Sequence, residues 1–267
     1  MKNIAKKVLV VLMAVLMIGA MAACAPAADS DTKTVSLGTS ADYPPFEFIY
    51  LDDQGAQQYA GIDVSLAKKL AADMDAELNV VNMNFDSLMA SLEKGDVDFV
   101  IAAVEVTEDR LKSADFSEPY YTDLPAMILV KADKAAEFTS IESFANKNVG
   151  AQSGTTKADI VNNDMPGAKF VGLTSVIDLV NELMYGKCDA IVLDGAVAMD
   201  YAASNSELVV ADVALGEALP FCVAVQKGDP KGLLESINKS IADALSQGLV
   251  DQWVAEADEL SSKALEG

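Results

Sequence analysis

The stretch FDSLMASLEKGDVDFVIAAV, residues 85–104, limits the fold more than any other. Leu88 and Leu92 lie one helical turn apart, Gly95 stops the helix, and the chain is wholly apolar from Phe99 to Val104. A short helix feeding a strand without polar alternation predicts a strand buried on both faces, as in α/β sheets with parallel strands. The unit occurs twice: Leu88, Leu92, Gly95 and Asp98 recur as Leu179, Leu183, Gly186 and Asp189, each displaced by 91 residues and each time followed by an apolar run. Two lobes of similar build are the expectation, with Ala103 at the end of one strand matching Asp194 at the end of the other. The flanking stretches fit this α/β rhythm. TVSLGT and AELNVVNM read as strands, and IDVSLAKKLAADM as a helix with Ile62, Leu66 and Leu70 on one face. Open α/β sheets bind ligands beyond the carboxyl ends of their strands, so two such edges facing each other predict a cleft.

The N-terminus follows different rules. Lys2, Lys6 and Lys7 precede an apolar run from Val8 to Ile18, and small residues lead to AMAAC. This is the layout of a secretory signal, with an apolar stretch too short to span a bilayer. A cysteine ending such a segment resembles the lipobox of bacterial lipoproteins, although Met21 stands where leucine is usual. The expectation is a signal peptide over 1–23, a lipidated Cys24, and a small, polar tether through residue 33. A plain cleaved signal and an uncleaved anchor are the alternatives.

With 41 acidic against 19 basic residues the net charge is −22, and removing the lysines of the leader makes the remainder more acidic still. Such a surface argues against nucleic acid or an anionic membrane as partner. The chain has no histidine, which removes the Ser-His-Asp and Cys-His mechanisms and the commonest zinc ligand. Neither a cofactor nor a metal is expected. Cys188 and Cys222 both sit in apolar runs, where a disulfide in an exported chain and two buried thiols are equally compatible with the sequence.

Arg110 is the single arginine in the chain, inside VEVTEDRLKSADFSEPYY. Thr107 reads as an N-cap, with Glu108 and Asp109 in a first helical turn. Arg110 offers a planar fork for a carboxylate, and a structural ion pair is the competing reading. VGAQSGTTKADIV reads as strand, glycine turn and helix start, capped by Thr155 or Thr156. It lacks phosphate-loop spacing, and what remains is a helix N-terminus suited to a carboxylate. Asp194 closes an apolar run before Gly195, where it either binds an ammonium group or caps the next helix.

GTSADYPPFEF, GIDVSLAKKLA, the long block from Phe85 to Tyr121, VGAQSGTTKADIV, GKCDAIVLDGAVA and VAVQKGDP follow in order a pattern that resembles the family 3 solute-binding proteins, the polar-amino-acid-binding proteins of ABC importers. The resemblance spans about residues 34–258. It implies a periplasmic-binding-protein type II fold, a two-lobe Venus-flytrap with two crossover strands near 122–127 and 219–223. Lobe 1 would comprise 34–122 plus 222–267 and lobe 2 residues 123–221. It also implies a monomer that binds one free amino acid, delivers it to a permease and its ATPase, catalyses nothing, and meets the membrane only through its lipid anchor.

Carried over by position, Arg110 clamps the ligand α-carboxylate, Thr156 supports it, Asp194 takes the α-ammonium, and Tyr43 and Phe85 sandwich the side chain. Glu105 departs from the pattern, because most members carry Ser or Thr there. It either pairs with Arg110 in the absence of ligand or contacts the ligand. Ser40 stands where binders of basic side chains have an acid. Ala102 and Ala103 replace serine or glycine and retain only backbone contacts, and Gln152 supplies a polar contact; together with Ser40 these departures leave the ligand side chain undetermined and mildly favour a neutral polar amino acid. A dehydratase of the prephenate or arogenate type on the same fold, with Glu105 or Asp42 as its acid, and a ligand-sensing receptor are the rival readings.

Overall fold

The computed structural model describes residues 33–264, so the leader and Cys24 lie outside the described residues. In chain order the first part consists of β1 (Thr34–Thr39), β2 (Asp42–Tyr43), β3 (Glu47–Leu51), β4 (Gln57–Ala60), α1 (Ile62–Asp73), β5 (Glu77–Asn82), α2 (Phe85–Lys94) and β6 (Phe99–Val100). There follow β7 (Ala114–Phe116), β8 (Tyr121–Thr122), β9 (Met127–Lys131), β10 (Asn148–Gln152), α3 (Thr156–Asn163), β11 (Lys169–Leu173), α4 (Val176–Met184) and β12 (Ala190–Leu193). The chain continues through α5 (Gly195–Ser204), β13 (Leu208–Val210), β14 (Pro220–Phe221), β15 (Ala224–Gln226), α6 (Leu234–Ser246) and α7 (Leu249–Ala264).

The repeated markers do the same work twice. Leu88 and Leu92 on α2 are fully buried, as are Leu179 and Leu183 on α4. Gly95 and Gly186 adopt φ values of 79° and 71°, the left-handed region where a side chain is strained, and each amide closes its helix onto Leu92 and Leu183 at 3.0 Å. The Asp98 carboxylate accepts from the Ser36 amide at 2.6 Å, and that of Asp189 from the Asn148 amide at 2.9 Å. Each aspartate therefore pins the start of its strand to the neighbouring strand.

Two five-stranded sheets result, ordered β5-β1-β6-β15-β7 and β11-β10-β12-β9-β13. In each, three neighbouring strands run parallel, the fourth (β15 or β9) runs antiparallel to them, and the edge strand beyond it (β7 or β13) returns to the direction of the first three. The registers agree with the repeat: Leu37 stands opposite Phe99 in the first sheet and Val149 opposite Ala190 in the second. Because helices cover both faces, the matching strands β6 (Phe99–Val100) and β12 (Ala190–Leu193) are buried and apolar throughout.

The chain crosses between the halves at β8 and β14, which pair antiparallel through Tyr121 with Phe221 and Thr122 with Pro220. α6 and α7 then pack on α1, and α7 also reaches β3. Cys188 and Cys222 are both buried free thiols, which resolves the choice left open by the sequence, and burial pushes each up to about 11.

Two local expectations fail. The apolar run to Val104 forms ladder pairs only over Phe99–Val100, because Ala103 turns to a φ of 45° and gives its amide to the Asp63 carboxylate at 2.7 Å. After Thr107 there is no α-helix but a single 3-10 turn, Arg110–Lys112, because the chain must return at once to β7. The Thr107 hydroxyl still accepts from the Arg110 amide at 3.2 Å.

Candidate functional site

The turn after β6 and the junction after β12 meet at one place. Tyr43, Glu47, Phe85, Ala102, Ala103, Glu105, Gln152, Thr155, Lys157 and Asp194 line a chamber of about 10 Å³, so the two halves stand closed upon each other. Seven of the residues expected from the sequence are in that set, Tyr43, Phe85, Ala102, Ala103, Glu105, Gln152 and Asp194, whereas Arg110 is not. Thr156 lies outside that set and, with Glu105, Lys157 and Asp194, lines a second cavity of about 580 Å³ between α3 and the segment 214–219. Ser40 is buried, but its hydroxyl donates to Asp42 at 3.3 Å and does not line the chamber.

Arg110 is held by carbonyl groups. Nη1 donates to the Glu105 carbonyl at 2.8 Å and Nη2 to the Gly154 carbonyl of the second half at 3.2 Å, with the guanidinium carbon 5.3 Å from the centre of the Phe85 ring. Among the described residues no carboxylate pairs with it within 4.0 Å. Burial draws the guanidinium below its ordinary value, and the more distant carboxylates of Glu105, Asp159 and Asp194 oppose that pull. The expected ion pair between Glu105 and Arg110 does not form: Arg110 takes the backbone oxygen of Glu105, and the side chain of Glu105 goes elsewhere.

Glu105 is committed across the cleft. Thr156 Oγ1 donates to its Oε2 at 2.5 Å, and Lys157 Nζ lies 3.0 Å from its Oε1. The same Nζ lies 2.6 Å from Asp194 Oδ2, an atom that also accepts from the Tyr43 hydroxyl at 2.8 Å. In return the Asp194 amide donates to the Tyr43 oxygen at 2.9 Å. Burial alone would lower Lys157, but Asp194 and Glu105 outweigh it and hold the ammonium above its ordinary value. Burial pushes Asp194 up, against Lys157, and pushes the Tyr43 phenol well above its usual range.

Asp194 stands at the N-cap of α5 but makes no side-chain cap bond. Asp123, on the crossing segment, accepts from the Ala196 amide at 3.2 Å instead, so the Asp194 carboxylate serves the chamber. Thr155, not Thr156, caps α3, accepting from the Ala158 amide at 3.2 Å. That frees the Thr156 hydroxyl for Glu105.

Three acids cluster at the Tyr43 end: Asp42, which the sequence raised only as the acid of a rival dehydratase, and Glu47 and Asp63, which it did not single out as site residues. Glu47 is buried in the chamber wall, and burial, with Asp63 beside it, pushes its carboxyl upward. Asp63 accepts from the Tyr120 hydroxyl at 2.6 Å and from the Ala103 amide. Asp42 accepts from the Val176 amide at 2.8 Å, bracing the start of α4 from the other half. Lys157 also went unnoticed: a lysine in the first turn of a helix has no local mark that separates it from an exposed one.

The model of the bacterial extracellular solute-binding proteins, family 3, matches residues 35–256. The chain is 31% identical over 231 residues to ABC transporter arginine-binding protein 1 of Escherichia coli K12, covering 84% of this chain and 92% of that protein. It is 32% identical over 255 residues to the arginine-binding extracellular protein ArtP of Bacillus subtilis 168, covering 92% and 96%. Both relatives are named as binding proteins and not as enzymes. Among solved structures it is similar to the amino acid ABC transporter substrate-binding protein AbpA of Streptococcus pneumoniae bound to L-arginine, with a TM-score of 0.81, 30% identity, and coverage of 86% of this chain and 96% of that one. With two matching sheets, two crossing strands and a cleft between them, the chain belongs to the bacterial extracellular solute-binding proteins, family 3.

Proposed function

We propose that this chain is the extracytoplasmic substrate-binding component of an ABC-type amino-acid importer, anchored through Cys24. It binds one free amino acid between lobe 1 (34–122 plus 222–267) and lobe 2 (123–221), delivers it to a permease, and catalyses nothing. The observation that carries the reading is a pair of opposite charges at one chamber: the buried carboxylate of Asp194 in its wall, and Arg110, whose side chain hydrogen-bonds only to carbonyls and packs behind the lining residues Phe85 and Glu105. Burying an uncompensated carboxylate or ammonium costs several kcal/mol, roughly, so a closed cleft selects a ligand whose two charges match both partners. A zwitterionic α-amino acid does so, with its carboxylate on Arg110 and its ammonium towards Asp194. Phe85 and Tyr43 flank the side chain, while Gln152 and the Ala103 backbone supply polar contacts. The halves part about the β8–β14 pair to admit the ligand, and contacts made only in the closed state draw them together again.

The side chain it accepts is basic, in place of the neutral polar one that Ser40 favours. Around the Tyr43 end, Glu47 in the chamber wall is joined by Asp42 and Asp63, none of the three paired with a cation among the described residues, and the relatives named above include arginine-binding proteins. Of the two acids a dehydratase could use, Glu105 has both oxygens engaged by Thr156 and Lys157, and Asp42 accepts from the Val176 amide and the Ser40 hydroxyl.

The test is calorimetry and thermal melting of the mature protein with each of the twenty amino acids. L-Arginine is expected to give the largest shift. A ligand at a hundred times its Kd stabilises by about 2.7 kcal/mol, or roughly 5–10 °C for a chain of this size. If none of the twenty raises the melting temperature or produces binding heat, the reading is wrong.

A further inference from the structure

Lys157 is the only lysine among the buried charged residues described. It occupies the first turn of α3, where the helix dipole opposes a cation, and burial opposes it again. Two carboxylates overcome both penalties: Glu105 Oε1 at 3.0 Å from one half and Asp194 Oδ2 at 2.6 Å from the other. An ammonium belonging to the chain therefore already sits on the carboxylate that, in the function proposed above, receives the ligand's α-ammonium.

We propose that Lys157 is a specificity-determining residue, a tethered ammonium that reduces what the ligand's own α-ammonium contributes to binding and admits 2-hydroxy analogues of the amino acid. The inference rests on the proposed function and deepens it. A ligand ammonium approaching Asp194 meets the repulsion of Lys157, whether it shares the carboxylate or displaces the lysine. A hydroxyl at that carbon pays no such penalty, and the carboxylate of the same ligand is attracted by Lys157 as well as by Arg110. Removing the lysine reverses both effects, leaving Asp194 and Glu105 to attract the α-ammonium without competition.

The experiment compares L-arginine with argininic acid, in which a hydroxyl replaces the α-ammonium, by calorimetry on the wild type, Lys157→Met, and the double variant Glu105→Gln/Lys157→Met. The wild type is expected to bind argininic acid within about tenfold of L-arginine, and Lys157→Met to widen that ratio by about thirtyfold, the equivalent of about 2 kcal/mol. The double variant removes one charge of each sign and keeps the balance of the cleft. A widened ratio there as well assigns the effect to the tethered ammonium and not to net charge, and it carries the test should the single variant fail to fold. A ratio that stays within threefold of wild type in the folded variants overturns the inference alone, as does a wild-type preference for L-arginine beyond a thousandfold. A wild type that binds neither compound overturns the reading of the site and the inference with it.

Discussion

Replacing Arg110 separates the charge of the clamp from its shape. Arg110→Met removes the donors to the Glu105 carbonyl at 2.8 Å and the Gly154 carbonyl at 3.2 Å, and with them the cation meant for the ligand carboxylate. Leaving a buried carboxylate without a counter-charge costs about 3–5 kcal/mol, so Kd should rise by roughly 10² to 10⁴. Arg110→Lys keeps the charge as a point. A lysine cannot span two carbonyls that lie on opposite halves while presenting a fork to the ligand, and a loss of about 1.5–3 kcal/mol, or roughly ten- to a hundredfold, is expected. The fold should tolerate both changes, because Arg110 sits in a short turn that has no fully buried residue; a melting temperature within about 5 °C of wild type is the control. Calorimetry with L-arginine at pH 7 should rank Arg above Lys above Met. If a folded Arg110→Met protein binds within about threefold of wild type, the guanidinium is not the carboxylate clamp and the charge argument fails.

Other variants probe the frame around the chamber. Burial pushes Asp123 up to about 6, so its folded form holds a proton that the unfolded chain has already lost; the resulting stability is complete below the ordinary aspartate range and is lost as pH rises through about 6. Asp123→Asn keeps an oxygen for the Ala196 amide, should raise the melting temperature at pH 7.5 by an amount reflecting up to about 3 kcal/mol, and should flatten the melting curve between pH 4 and 6; an unchanged pH slope would contradict this. Tyr43→Phe removes one donor to the Asp194 carboxylate and leaves the Asp194 amide unpaired, so affinity should fall about tenfold, measured by calorimetry; equal affinity would take Tyr43 out of the site. Cys188 and Cys222, with thiols raised by burial, should react with a thiol reagent only after denaturation, and fast labelling of the native protein would show the burial to be wrong.

What the sequence revealed, and what it hid, follows from how local each signal is. Leu88, Leu92, Gly95 and Asp98 could be matched to their counterparts because each acts within a helix turn, a cap or an adjacent strand, and the structure assigns each pair the same task. The helix after Thr107 was misread for the complementary reason: a hydroxyl followed by acids marks a start, but how long the turn runs is decided by the distance back to β7. Asp194 as cap or ligand group was undecidable locally, because the answer depends on Asp123, which reaches the same helix from the crossing segment.

Lys157 is the sharper case. Glu105 stood out as an acid where the resemblance leads one to expect a hydroxyl, and a lysine at a helix start is unfavourable without a carboxylate near it. Either residue alone reads as tolerated noise. Together they explain each other, because an added buried carboxylate requires an added buried cation, and the closed halves bring the two to 3.0 Å. A local rule broken twice, with opposite charges, in segments that the fold expectation already places on facing edges, is therefore a readable sign of a paired change at a functional site.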